Sequence, residues 1–126
     1  MKEANIVAKF KEKLCGHWTL IENSTTAGVP DALASRNGHM CWIEFKRLYN
    51  RDIIVRPLQL TWMIRELRHN GRVCVAWWDQ GPVVLLASHL VKMDPVEKGG
   101  KLYYDVLDHA CAIHGWNSID DYLFKG

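Results

Sequence analysis

The sequence predicts an α/β fold in which one mixed sheet is flanked by helices. Three observations carry that expectation. The elements read in the order αβββαββα, an Asn37-Gly38 pair separates two apolar runs, and an amphipathic helix lies between those runs and a further apolar pair. Residues 3–14 place Ile6, Val7, Phe10 and Leu14 at helical spacing with lysines between them and Gly16 as the stop. Residues 17–23 (HWTLIEN), 28–35 (GVPDALAS) and 39–46 (HMCWIEFK) read as strands, the last two joined through Asn37-Gly38. Asn-Gly is a strong hairpin signal because both central residues of a type I′ turn need positive φ. Residues 47–56 (RLYNRDIIVR) have no clear period and read as a loop or an extended strand tip. A second helix opens at Pro57, stops at Asn70-Gly71, and turns Leu60, Met63, Ile64 and Leu67 inward. Residues 72–78 (RVCVAWW) and 82–87 (PVVLLA) give two more strands about a turn at 79–82. The tail, 104–124, reads as helical, restarting at Asn117-Ser118 after Gly115.

A chain of 126 residues makes one domain with a real core and excludes kinases, polymerases and eightfold barrels. With 48% hydrophobic and 24% charged residues it is globular in composition. The four cysteines, at 15, 41, 74 and 111, form no C-x-x-C pair, and two of them lie in apolar strands, which points to reduced thiols in a cytoplasm. Charges run through residues 1–14, so no signal peptide is expected. Asp79-Gln80-Gly81-Pro82 interrupts the longest apolar stretch before it reaches the roughly eighteen residues of a membrane span, and no membrane partner is expected.

The net charge of +2 conceals an asymmetry. All seven arginines lie between Arg36 and Arg72, and the stretch 46–72 holds seven basic residues against two acidic ones. The rest of the chain is net acidic, so the protein carries one basic zone.

A two-residue Asn37-Gly38 loop pairs Arg36 with His39, and the same register sets Asp31 across from Glu44, with Cβ atoms about 4.5–5.5 Å apart. Lys46, two residues on, projects from the same face. Facing like charges destabilise a strand pair, and the neighbours Val29, Leu33, Trp42, Ile43 and Phe45 make water scarce, so the carboxylates need compensation. A divalent cation with oxygen ligands supplies it. Mg²⁺ is typically held by one or two carboxylates and keeps several waters. A neighbouring lysine can orient a water or offset charge on a phosphorus centre.

GVPD at 28–31, WIEFK at 42–46 and Gln59 at the opening of the next helix resemble the PD-(D/E)XK nuclease superfamily, and within it the small phage and viral VRR-NUC type. The resemblance covers about residues 3–77, the superfamily's restriction-endonuclease-like αβββαβ core, and leaves 82–126 as an addition that pairs subunits or shapes substrate choice. It implies that Asp31, Glu44 and the Phe45 carbonyl ligate Mg²⁺, with Mn²⁺ as a substitute, and that Lys46 is the catalytic lysine. It implies DNA phosphodiester cleavage, with branched, Holliday-junction-like DNA as substrate, a homodimer, and no organic cofactor. Gln59 then bonds the attacking water or a metal-bound group. A further acidic ligand is Glu22 or Glu3. Glu22 is favoured if Asn23 pairs with Gly28, which turns Glu22 to the side of Asp31, while Glu3 lies on the sheet-facing side of the first helix.

Arg47, Arg51, Arg56, Arg65, Arg68 and Arg72 follow directly on this motif and suit phosphate contacts, with Tyr49 placed to stack on a base or sugar. Two other readings stand beside the endonuclease. One is a catalytically silent protein of the same fold that binds nucleic acid or a protein partner, and the other is a nuclease acting on RNA or single-stranded DNA.

Overall fold

The computed structural model describes residues 1–22 and 27–125. A helix, α1 (Glu3–Lys13), precedes three antiparallel strands, β1 (His17–Leu20), β2 (Ala32–Arg36) and β3 (His39–Phe45). A short strand, β4 (Asp52–Val55), and a helix, α2 (Pro57–Arg68), form the crossover to β5 (Val73–Trp78), which pairs with β3 in parallel. After β6 (Pro82–Leu86) and one helical turn, α3 (Ala87–Leu90), come β7 (Val96–Lys98), β8 (Lys101–Asp105), β9 (Ile113–His114) and the helix α4 (Trp116–Phe124). Six strands form the central mixed sheet in the order β1-β2-β3-β5-β6-β9, and β4-β8-β7 form a separate small sheet.

Strand β5 explains why the sheet needs helices on both faces. Cys74 and Ala76 join a cluster with Ile6 and Phe10 of α1, Leu14 just beyond it, and Leu123 and Phe124 of α4. Val73, Val75 and Trp77 join another with Met63, Leu90 and Tyr104 on the side of α2, α3 and β8. Alternate residues are thus buried in opposite directions, as expected of an apolar run that includes a parallel pairing.

The predicted hairpin register is present. Arg36 faces His39 and Ala32 faces Ile43 across a turn in which Asn37 and Gly38 have φ of 55° and 80°. The strand expected over 28–35 begins only at Ala32, because Gly28 adopts φ 84° and Pro30 has no N–H to donate to a ladder.

Three expectations need correction. The 104–124 region is not one helix. Residues 101–105 are a strand, 113–114 form another, and helix begins only at Trp116. The turn Gly99-Gly100, with φ of 56° and 77°, returns β8 onto β7, and Tyr104 and Val106 are drawn into the core. The 47–56 segment contains β4, whose Ile53 and Val55 are buried beneath the small sheet. The apolar residues beyond 82 are not left for a partner, since Val83, Leu85, Leu90, Ile119, Leu123 and Phe124 fill this chain's own core.

Candidate active site

Among the described residues, the two buried charged side chains are Glu44 and Lys46, 3% and 8% exposed. They lie at the carboxyl end of β3, on the face that α2 covers. Trp42, two residues earlier, meets Trp62 edge to face at 5.1 Å and fixes the helix against the strand. That contact brings Gln59, in the first turn of α2, over the carboxylate.

Gln59 joins the three groups. Its Nε2 donates to Glu44 Oε2 at 2.8 Å, and its Oε1 accepts from Lys46 Nζ at 2.8 Å and from the Arg56 backbone N–H at 3.0 Å. The last bond caps an otherwise orphaned donor at the start of α2, so the helix terminus sets the amide's orientation. Lys46 Nζ also lies 3.2 Å from Glu44 Oε2. Gln59 is therefore a bonded member of the cluster and not a solvated first-turn residue.

Asp31 sits at the open end of the β2–β3 ladder. Its Oδ2 accepts the Phe45 N–H at 2.9 Å, and its own carbonyl accepts the Ile21 N–H at 2.8 Å. Glu44 is enclosed as expected, but Asp31 is exposed, because β2 starts one residue after it. The Glu44 carboxyl is pushed up to about 7, first by burial and then by the charge of Asp31, with Lys46 opposing and Glu3 adding a smaller push.

The two further acidic candidates both border a surface groove beside Asp31 and Phe45. Glu3 acts on Glu44 through its charge. The pairing that would have aimed Glu22 involves Asn23, which lies outside the described residues. The neighbouring ladder has a different register, Leu20 facing Ala32 and Ile21 bonding to Asp31, one residue off the supposed pairing.

The basic zone divides. Arg47, Tyr49 and Arg56 line a groove with Lys46, Glu3 and Lys101, and Arg47 stacks over the exposed Tyr49 ring. Arg51 is paired with Asp105 at 3.2 Å and Asp108 at 3.8 Å. Arg65 and Arg68 lie about 120° and about 180° round α2 from Gln59, and about 9 and about 14 Å along it, so they face away from the cluster. Arg72 is structural. It donates to the Leu123 carbonyl at 3.0 Å and to that of Tyr122, and stacks over the Tyr122 ring. It is removed from the expected phosphate contacts because its fork ties β5 to α4. Lys101 was missed by sequence reasoning, since only the pairing of β8 with β4 brings it to the groove.

Among the described residues there is no cluster of three or more His, Cys, Asp and Glu that could hold a metal, and no helix long and apolar enough to cross a membrane. Two carboxylates and an adjacent backbone carbonyl are nevertheless oxygen donors of the kind that suit a hard cation, and the groove beside them is lined with basic side chains.

No protein-family model and no curated protein matches the sequence. The fold is shared with a solved structure of Hjc, a Holliday junction resolvase from the archaeal hyperthermophile Archaeoglobus fulgidus, at a TM-score of 0.65 and 9% identity over 96% of each chain. The central mixed sheet flanked by helices is thus the fold of that resolvase.

Proposed function

We propose that the protein is a divalent-metal-dependent DNA endonuclease that cuts branched DNA of the four-way-junction kind. Within nucleases of this fold it is a small VRR-NUC type enzyme encoded by a phage. The observation that carries the reading is the buried Glu44–Lys46–Gln59 cluster with Asp31 at its open end. A buried ion pair contributes little net stability, so its position at the rim of a basic groove supports a chemical role.

The residues fit a cation. Burial and Asp31 push the Glu44 carboxyl up to about 7, and a divalent ion held by Glu44 and Asp31 would offset the charge that burial penalises. The Phe45 carbonyl shares its strand edge with the N–H that meets Asp31, which makes it a third oxygen. This set suits Mg²⁺, with Mn²⁺ as a substitute. When bound, such an ion acidifies a water and offsets charge on the scissile phosphate.

Lys46 donates to a non-bridging phosphate oxygen, or orients the water, as negative charge accumulates at phosphorus. The water oxygen bonds to phosphorus as it gives up a proton to solvent, while the bond to the leaving sugar oxygen breaks and that oxygen takes a proton from solvent. Gln59 keeps Lys46 and Glu44 in register, and Arg47 and Arg56 hold flanking phosphates while Tyr49 stacks on a base or sugar. A homodimer belongs to the proposal, because two cuts across a two-fold junction need two sites.

The test is incubation with four-way-junction, duplex and single-stranded DNA and with RNA, in Mg²⁺, in Mn²⁺ and in chelator. The expected result is junction cleavage that chelator abolishes and Lys46→Ala reduces more than a hundredfold. No cleavage by the wild type, or equal cleavage by Lys46→Ala, overturns the reading. A junction bound but uncut favours a silent protein of this fold.

A further inference from the structure

The hairpin β7–β8 has a charge pattern that packing does not explain. Lys98 and Lys101 face each other at its end, flanking Gly99-Gly100. Like charges directly opposed on a strand pair are destabilising. Among the described residues neither lysine lies within ion-pair distance of a carboxylate, and Lys98 stacks only on the Tyr103 ring at 5.3 Å.

The other end of the same small sheet is handled differently. There Asp52 faces Asp105, and Arg51 bridges to Asp105. Repulsion is neutralised at the base of the sheet and left in place at its tip.

The tip stands beside the cluster. Lys101 borders the groove that holds Lys46, Arg47 and Arg56, and with Gly99 and Gly100 it borders a second groove along Gly28 and Gln59. Its position is fixed by strand pairing. Ile54 faces Tyr103 and Val55 faces Leu102, two and one residues before Arg56. A Cβ at Gly99 or Gly100 would meet nothing within 4 Å, so the turn is a bare backbone edge.

We infer that this hairpin is a clamp for the phosphate backbone of the nucleic acid lying in these grooves. Lys101 grips a phosphate in the groove it shares with Arg47 and Arg56, and Lys98, its cross-strand neighbour, grips a phosphate further along the backbone. The clamp positions and carries no sequence information. The inference rests on the proposed nucleic-acid reading of the site and adds a contact surface outside the basic stretch 46–72.

The test is binding to a series of four-way junctions of different sequence, in chelator and across a range of salt, comparing wild type, Lys98→Ala/Lys101→Ala, Lys98→Arg/Lys101→Arg and Lys98→Glu/Lys101→Glu. Two lost phosphate contacts reduce the salt slope of log affinity by about two. The Arg/Arg variant is expected to restore the slope, the Glu/Glu variant to weaken binding further, and all sequences to weaken alike. Circular dichroism and melting temperature confirm folding of each variant. An unchanged slope in both the Ala and Glu variants overturns the clamp even if Lys46 proves essential for cleavage. A reduced slope in a protein that never cuts DNA upholds the clamp while the endonuclease reading falls. Absence of any nucleic-acid binding by the wild type overturns both.

Discussion

Gly28 lies so close to Leu58 that a Cβ on the glycine would stand 2.2 Å from the Leu58 carbonyl oxygen, and Gly28 has φ 84°. The loop ahead of Asp31 is thereby seated on the first turn of α2, next to Gln59. Gly28→Ala is expected to destabilise by about 2–4 kcal/mol, combining left-handed strain with a backbone clash. It should also lower junction cleavage by pushing Gln59 off Glu44. Urea unfolding and cleavage rates check both, and a neutral variant would mean that the loop is not a template for the helix.

Gln59→Ala leaves Lys46, Glu44 and the Arg56 N–H each short of a partner. The expected loss is about 1–3 kcal/mol in stability and roughly ten- to a hundredfold in cleavage rate, with substrate affinity nearly unchanged. Single-turnover kinetics with a parallel binding titration separate the two effects.

Glu44 gives the apo protein a pH dependence of defined sign. Its carboxyl is raised from 4.5 to about 7, so between those values the native state binds more protons than the unfolded chain, and stability falls as pH rises. The fall attributable to this group is about 3 kcal/mol at most. Glu44→Gln should flatten the profile and be the more stable protein at pH 8. Mn²⁺ should restore wild-type stability at pH 8, and its binding should release protons near pH 6, where the metal-free carboxyl still holds one. Melting temperatures from pH 5 to 8, with and without metal, check the sign.

Arg72→Ala is expected to lower stability by about 2–3 kcal/mol through two lost charge-assisted bonds to α4, while leaving the salt slope of DNA binding unchanged. A reduced slope would return Arg72 to the phosphate contacts.

The chemistry was legible where local rules decide geometry. Asn37-Gly38 fixes a two-residue turn, and period-two alternation then carries Glu44 and Lys46 to one face. Gln59 was found only through the family pattern, because its role comes from α2 docking through Trp62 on Trp42. The tail misled because Val106, Ala110 and Ile113 recur at i, i+4 and i+7 and so also satisfy a helical reading, although Gly99-Gly100 between KLYYD and an earlier extended run was a hairpin signal. Arg72 and Lys101 could not be sorted by charge alone. One is consumed by carbonyls of α4 and the other is delivered to the groove by a strand pairing, and neither event leaves a local trace.

The small sheet has a consequence for how such a protein can change. Its strands touch the central sheet through β4 and the buried faces of Tyr104 and Ile53, while the cluster of Glu44, Lys46 and Gln59 is held by β3 and α2. Extra residues between Lys98 and Lys101 would meet open space. The hairpin is therefore an exchangeable fitting: its length and charge can drift, or be engineered, without rebuilding the cluster of Glu44, Lys46 and Gln59.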